Sequence, residues 1–502
     1  MTSDSATTEG AMVAQYDAVI VGAGFGGMGA AIQLARLGHT NLLILEREDD
    51  LGGTWHVNRY PGLAVDIPSS TYSYSFEPNP YWSRLFAPGP ELKRYAEHVA
   101  DKYGLRKWMR FGAVVTGAVW ERTHWRVTLY SGESFTSTYL VTATGFLSQP
   151  KMPEIDGIDG FRGKVIHTTA WDDDYDLTGK RAAVIGTGAT AVQLIPEVAK
   201  VVSELTVYQR TPIWVSPKPD YVVPRRLQAA FAALPFAQRV VRLTGSAILE
   251  LLMITGVVHY KNFRLGNRIA ERWCRAHLRR QVRDPGLRRK LTPDYSFGCK
   301  RPTFSNDYFR TFTRPHVKLE TTGIARIEDN AIITAAGGRT EIDVLLLATG
   351  FNLWDVNFPA IEIIGRDGRD LGKWWRENRF QAYEGVTVPG FPNLLSLNSP
   401  YAYSGLSYFT TIECQMKHID RLFTAMRRRG SRVFEVTQRA NDEFLDRMTD
   451  KVGDSVFALG QCATANSYYF NQHGEATLLR PTSTIAAHRE AVRFPLSDYT
   501  YA

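Results

Sequence analysis

Short apolar runs that end in glycine set the rhythm of this chain. Tyr16 to Val21 (Y-D-A-V-I-V) enters Gly22-Ala23-Gly24-Phe25-Gly26-Gly27, and helical spacing of apolar positions follows from Met28 to Leu37. A second run, Asn41 to Leu45, stops at Glu46. The same order returns downstream. Arg181 to Ile185 enters Gly186-Thr187-Gly188-Ala189-Thr190-Ala191, a helical stretch continues to Val201, and Glu204 to Tyr208 stops at Gln209-Arg210-Thr211. Between the two units, Glu91 to Tyr103 reads as an amphipathic helix. Val114 to Trp120, Trp125 to Tyr130 and Ser134 to Leu140 alternate as antiparallel strands, and Tyr72 to Phe76 reads as an aromatic strand. Two buried strands, Tyr139 to Gly145 and Glu341 to Leu347, run into the strings Ala143-Thr144-Gly145-Phe146 and Ala348-Thr349-Gly350-Phe351. Ser404 to Ala425 is a turn leading into a helix.

Strands alternating with helices predict an α/β fold with two dinucleotide-binding, Rossmann-like domains. The repeated A-T-G-F string predicts a chain that leaves one nucleotide domain and later returns to it. The expected organisation is a disordered tail over 1–15, a first nucleotide domain built from 16–149 and 352–502, and a second over 150–351. The second domain carries a helical insertion, 216–295, where strand signals vanish and helical spacing appears over Phe231 to Arg242 and Ile269 to Arg283.

Charge changes the picture in one place. The chain of 502 residues carries +8 overall, but Tyr221 to Arg301 holds 17 Lys and Arg against 4 Asp and Glu. The remainder is therefore about −5, so the basic character belongs to one segment, which weakens a reading of the whole chain as a nucleic-acid binder. The basic segment adjoins the apolar Ala247 to Val258, so it is either a solvated face or a contact with a membrane surface. No apolar run reaches the ~18 residues of a membrane span. The N-terminus lacks the basic and apolar regions of a secretory signal. The four cysteines, Cys274, Cys299, Cys414 and Cys462, form no C-x-x-C, which disfavours a zinc site or a dithiol reductase and predicts reduced thiols in a cytoplasmic protein. No metal-ligand cluster and no Ser/His/Asp elbow is present.

The two glycine loops differ in one informative residue. Glycines at such turns let backbone approach a pyrophosphate at a helix N-terminus. Glu46 stands 22 residues after Gly24, where an acid accepts from ribose hydroxyls; Arg210 stands 22 residues after Gly188, where a guanidinium suits a 2′-phosphate. The first loop therefore reads as FAD-type and the second as NADPH-type. Gly52-Gly53-Thr54-Trp55 and Arg59-Tyr60-Pro61-Gly62 form turns that could lie over a flat ring. Lys300 and Arg301 are solvated surface or anion ligands. His418 and His473 are structural.

Between the loops lies F-R-G-K-V-I-H-T-T-A-W-D, Phe161 to Asp172. Together with the first loop, Gly53-Thr54-Trp55, Arg59-Tyr60-Pro61-Gly62, Asp66, the second loop, Gln209-Arg210-Thr211-Pro212 and Gly298-Cys299-Lys300-Arg301, it makes the chain resemble the type I Baeyer–Villiger monooxygenases of the flavin-containing monooxygenase superfamily. The resemblance runs from about Asp17 to Leu353 and more weakly beyond. It implies FAD and NADPH as cofactors, O2 as co-substrate, and a small ketone or sulfide as substrate, oxidised through a peroxyflavin to an ester, lactone or sulfoxide.

The resemblance also implies residue roles. Arg301 is the active-site cation and Asp66 the carboxylate that holds it. Gly22, Gly24, Phe25, Gly27, Glu46, Thr54, Trp55, His56, Val57, Ala64, Val65, Asp66, Tyr72 and Val115 belong to the FAD side. Gly186, Thr187, Gly188, Ala189, Thr190, Ala191, Gln193, Arg210, Thr211 and Lys300 belong to the NADPH side. His167 and Trp171 read as an interdomain linker that couples the two cofactors. Ser467-Tyr468-Tyr469 stands where many relatives have Ser-Trp-Tyr, so substrate shape does not carry over. A flavin N-hydroxylase or S-oxygenase is the rival reading, disfavoured by Trp171 and Arg301. A pyridine nucleotide–disulfide reductase or flavin scaffold is the third, disfavoured by the missing C-x-x-C and the intact second loop.

Overall fold

The computed structural model describes residues 15–251, 255–403, 405 and 407–502. The tail expected over 1–15 lies outside the described residues except for Gln15. Tyr16–Val21 is an inner strand because its side chains are apolar on both faces; Ala18, Val19 and Ile20 are fully buried. It pairs in parallel with Leu42–Leu45 on one side and Ser134–Thr142 on the other. Beyond Ser134–Thr142 the sheet turns antiparallel through His124–Leu129 and Val115–Glu121. Late in the chain, Glu362–Ile364 and Leu394–Ser396 return to this same sheet.

The second sheet is entirely parallel. Its order is Val317–Glu320, Glu204–Tyr208, Arg181–Ile185, Val344–Leu347, Lys164–His167. The two A-T-G strings have equivalent places in the two sheets. Ala143 N donates to the Val21 carbonyl and Ala348 N to the Ile185 carbonyl, each at 2.9 Å. Each alanine thereby borders the first glycine of its own loop. A Cβ on Gly22 would stand 2.6 Å from the Ala143 carbonyl oxygen, and one on Gly186 would stand 2.2 Å from that of Ala348. The chain crosses between the sheets twice, side by side: Lys151 N donates to the Gly350 carbonyl and Asn352 N to that of Gln149, both at 2.9 Å.

Four expectations are corrected. Tyr72 to Phe76 is a run of turns, because its backbone finds side-chain partners instead of a ladder: Tyr74 N donates to Tyr95 Oη at 3.0 Å and Ser75 N to Glu413. The helix expected over Phe231 to Arg242 is two helices, Arg225–Ala233 and Pro235–Leu249, since Pro235 drives Leu234 out of helical backbone. Glu341 to Leu347 is likewise split between Arg339–Glu341, in a small antiparallel sheet, and Val344–Leu347. The cysteines are not all reduced: Cys299 and Cys462 form a disulfide, leaving Cys274 and Cys414 free. Spacing 163 residues apart carried no sign of that pairing.

The last glycine of the first loop's G-x-G-x-x-G, Gly27, is demanded by packing. A Cβ on Gly27 would lie 1.9 Å from the Gly22 carbonyl oxygen, so Gly27→Ala must push the Phe25–Arg36 helix off its strand. Overpacking of this kind costs about 1–3 kcal/mol. The expected outcome is a lower thermal midpoint by circular dichroism and less flavin retained per protein; an unchanged midpoint with full flavin would refute the packing argument.

Candidate active site

Local sequence builds the first cradle. Gly24 caps the Phe25–Arg36 helix in extended backbone, aiming the helix N-terminus at the loop. Gly53 faces it: a Cβ there would stand 3.2 Å from the Gly24 Cα. The two glycine turns thus meet backbone to backbone, a fit for a pyrophosphate. Thr54–Val57 forms a short helix whose Trp55 is buried, and Trp55 Nε1 donates to Tyr72 Oη at 3.1 Å. Glu46 is buried beside the loop, its carboxylate accepting from Ala23 N at 2.7 Å and Glu48 N at 3.1 Å. His56 pairs with Asp49 at 2.6 Å. Val115 opens a strand next to Ala113, whose N donates to the Glu46 carbonyl.

The second cradle is open where the first is crowded. Nothing lies within 4 Å of a Cβ built on Gly188, at the N-terminus of the Ala189–Val198 helix. Thr187 Oγ1 donates to the Thr211 carbonyl at 2.6 Å, tying the loop to the segment that carries Arg210. Lys300 approaches Arg210 from a different part of the chain. Among the described residues neither makes a salt bridge or hydrogen bond. Burial pushes the Lys300 ammonium down and the Arg210 charge pushes it further, to about 8. Two cations near enough to influence each other, neither with a salt bridge among the described residues, suit an anion such as a 2′-phosphate.

Gln193 joins the two cradles. Its Nε2 donates to the Ala64 carbonyl at 2.8 Å and its Oε1 accepts from Tyr60 Oη at 3.0 Å. Gly62, at φ +84°, leaves room for the Gln193 backbone: a Cβ there would stand 2.6 Å from its carbonyl oxygen. Val65 N donates to the Ala87 carbonyl, continuing the same segment toward Asp66.

Arg301 sits where three distant segments converge. Its Nε donates to Asp66 Oδ2 at 2.7 Å and Nη2 to Oδ1 at 3.2 Å, a fork-on-fork pair. Nη1 donates to Tyr403 Oη at 3.0 Å. Burial opposes charge on Asp66, yet the guanidinium outweighs it and holds the carboxyl below its usual range. Burial likewise opposes charge on Arg301, and Asp66 reverses that, so the guanidinium stays protonated. Tyr469 interacts electrostatically with the same cation, and Phe146 packs against Tyr403 at 5.8 Å between ring centroids. The family resemblance paired Asp66 with Arg301; the sequence reading missed Tyr403, whose only sign was an aromatic cluster in Pro400-Tyr401-Ala402-Tyr403. It also missed that Cys299, next to Lys300 and Arg301, is tied to Cys462, close in sequence to Tyr468 and Tyr469.

The stretch Phe161 to Asp172 is more than a connector. Lys164–His167 is the edge strand of the second sheet, with His167 opposite Leu347. Gly163 is required because a Cβ would meet the Asp343 carbonyl oxygen at 2.4 Å, and Trp171 is buried in the core under this sheet. His167 Nδ1 lies 2.8 Å from Thr169 Oγ1; Nε2 is buried and has no partner among the described residues. Burial lowers its pKa, which favours the neutral ring.

With the geometry in place, likeness to known proteins can be weighed. Residues 19–243 match the family described as pyridine nucleotide-disulphide oxidoreductase. That segment contains no cysteine, so the match concerns nucleotide folds and not dithiol chemistry. A Baeyer-Villiger monooxygenase of Streptomyces coelicolor is 36% identical over 484 residues, covering 96% of this chain and 91% of its own length. One of Pseudomonas aeruginosa is 37% identical over 446 residues, covering 88% and 84%. Among solved structures, OTEMO in complex with FAD and NADP superimposes with a TM-score of 0.86 at 28% identity, over 98% of this chain and 100% of that one. Cyclohexanone monooxygenase from Rhodococcus sp. Phi1 bound to NADP+ gives 0.85 at 28% identity, over 97% and 98%.

The facing cations predict a pH signature. Lys300 is charged below about 8 in the unliganded protein and loses its charge above that. Binding of 2′,5′-ADP, followed by calorimetry, should therefore weaken as pH rises through that value. Lys300→Met should bind more weakly at pH 7 and lose most of the pH dependence. A flat wild-type profile would remove Lys300 from the anion site.

Proposed function

The chain belongs to the Baeyer–Villiger monooxygenase family, and on that footing we propose how its residues divide the work. The protein is an FAD- and NADPH-dependent oxidoreductase that acts on a small molecule and O2. One oxygen atom enters beside a ketone carbonyl, giving an ester or lactone, and the other leaves as water. When bound, FAD and NADPH supply hydride transfer and the activation of O2.

The protein's part is to hold, orient and shield. Gly22, Gly24, Phe25, Gly27, Glu46, Thr54 and Trp55 are assigned to FAD, the backbone glycines to its pyrophosphate and Glu46 to ribose. Gly186 to Ala191 and Gln193 are assigned to the NADPH pyrophosphate side, and Arg210, Thr211 and Lys300 to the 2′-phosphate. The double crossing at 149–151 and 350–352 supports domain limits of 16–149 with 352–502 for FAD and 150–351 for NADPH, the latter including the helical insertion 216–295. Peripheral contact with a membrane surface through that insertion belongs to the same proposal.

Arg301 is assigned the electrostatic role. As a ketone carbonyl becomes tetrahedral, negative charge grows on its oxygen, and a preorganised guanidinium stabilises that charge with no reorganisation at the moment of reaction. Asp66 fixes the fork by two hydrogen bonds and Tyr403 fixes a third N–H, so the cation is aimed before substrate arrives. The observation that carries this reading is a permanently charged, largely buried guanidinium whose single carboxylate partner leaves donors unspent. His167 and Trp171, on the edge strand and beneath the second sheet, are assigned to positioning that domain and its cofactor.

The reading predicts NADPH- and ketone-dependent oxygen uptake with ester product by gas chromatography. Hydrogen peroxide alone across a broad ketone and sulfide panel would overturn it. Arg301→Ala should cut ester formation by roughly 10²–10³-fold, the scale of losing an oxyanion donor, while anaerobic flavin reduction by NADPH continues. Tyr403→Phe removes the acceptor of one charge-assisted hydrogen bond, worth about 1.5–3 kcal/mol, so a loss of roughly ten- to a hundredfold is expected. Full oxygenation by the Arg301 variant would refute its role.

A further inference from the structure

The helical segment after Pro224 has its polarity turned inside out. Polar side chains hold the Pro235–Leu249 helix to the body of the protein. Gln238 Nε2 donates to the Asn79 carbonyl at 2.6 Å, and Arg242 Nη1 donates to the carbonyls of Ser70 and Ser73 at 3.0 and 2.7 Å. Gln238 is the one fully buried residue of the helix. The opposite stripe is apolar: Phe236, Val240 and Leu243, one turn apart, are 75%, 44% and 63% exposed. A surface helix of a water-facing protein does the reverse. Folding alone therefore leaves this stripe unexplained, and large exposed apolar surfaces mark a partner.

The Tyr260–Gln281 helix repeats the pattern and adds charge. Leu265, Ile269 and Trp273 recur at i, i+4 and i+8 and are 68%, 56% and 58% exposed. Arg264, Arg268 and Arg272 each precede one of them, so a row of exposed guanidinium groups runs beside the apolar row. Among the described residues the side chains of Arg268, Arg272, Arg279 and Arg280 make no salt bridge or hydrogen bond. Apolar side chains flanked by unpaired arginines are the pattern of a helix lying in a membrane interface. Among the described residues no helix is long and apolar enough to cross a bilayer.

We propose that this segment binds the surface of an anionic lipid bilayer, with Phe236, Leu243, Leu265, Ile269 and Trp273 at the acyl boundary and the neighbouring arginines on lipid phosphates. Charge decides between occupants. The segment from Tyr221 to Arg301 has a surplus of 13 positive charges, so two copies meeting through these faces would bring like charges together, whereas anionic headgroups complement them. None of the five apolar residues, nor Arg268 or Arg272, belongs to the oxygenation centre, so membrane binding and catalysis fail independently.

The test uses the purified holoenzyme with large unilamellar vesicles, either phosphatidylcholine alone or an equal mixture with phosphatidylglycerol. The protein should sediment with the anionic vesicles and not with the neutral ones, and about tenfold less at high salt, where screening shortens the reach of charge. The double variants Leu265→Glu/Trp273→Glu and Arg268→Glu/Arg272→Glu should each bind at least about tenfold more weakly, with wild-type flavin content and NADPH oxidation. Absence of wild-type binding to anionic vesicles overturns the proposal, as does equal binding to both vesicle types. A concentration-dependent dimer by light scattering that Phe236→Glu abolishes, with no vesicle binding, assigns the face to a second copy and equally overturns it.

Discussion

A guanidinium withdrawn from water is the constraint to which the rest of the molecule answers. Asp66 grips Arg301 bidentately and Tyr403 accepts from its third nitrogen, which offsets the cost of burying the charge. Desolvation of an ion pair costs several kcal/mol per ion unless the geometry is good and the remaining protons find partners. Asp66 comes from the loop after the first glycine turn, Arg301 from the loop after the helical segment, and Tyr403 from the segment leading to the Tyr408–Arg429 helix. The centre therefore exists only when three parts of the chain, far apart in sequence, are folded against each other.

The two sheets make that convergence repeatable. Each presents a glycine loop at the end of an inner strand, and each loop's first glycine abuts an alanine of an A-T-G string. Equivalent close contacts, Gly22 on Ala143 and Gly186 on Ala348, fix the two loops in the same way within their own sheets. Gln193 then bonds across from the second cradle to Tyr60 and Ala64 of the first. The paired crossings at 149–151 and 350–352 add backbone bonds where the chain passes from one sheet to the other and back. One nucleotide loop is consequently aligned on the other by hydrogen bonds on two sides, which suits a reaction in which two cofactors must meet.

Polarity is distributed for different ends in different places. Around Arg301 a charge is buried and matched; at the second cradle two cations are left unmatched among the described residues; on the Pro235–Leu249 helix apolar side chains face outward while glutamine and arginine face in. Each arrangement opposes the ordinary sorting of polar and apolar groups between water and core. Only the first is matched within the chain, by the Asp66 carboxylate; a bound anion for Lys300 and Arg210 and a lipid surface for the helices are what we propose for the other two.

Much of this protein was written locally. Periodicity and turn residues located Tyr16–Val21, Arg181–Ile185 and Glu204–Tyr208 to the residue, because inner strands are largely apolar on both faces and the first two stop at a glycine turn. The opposite characters of Glu46 and Arg210 at one offset were the ground for expecting two different nucleotides, since ribose hydroxyls want an acceptor and a 2′-phosphate wants a cation. What depended on one segment meeting another was not legible. Tyr72 to Phe76 looked like a strand until Tyr95 and Glu413 captured its backbone; Phe161 to Asp172 looked like a connector until Val344–Leu347 paired with it. The Cys299–Cys462 bond, the Tyr403 contact and the outward apolar face of Pro235–Leu249 were decided by tertiary structure alone. A residue's type states what it can bond, but which distant partner reaches it is set by how the sheets and crossings bring the chain back on itself.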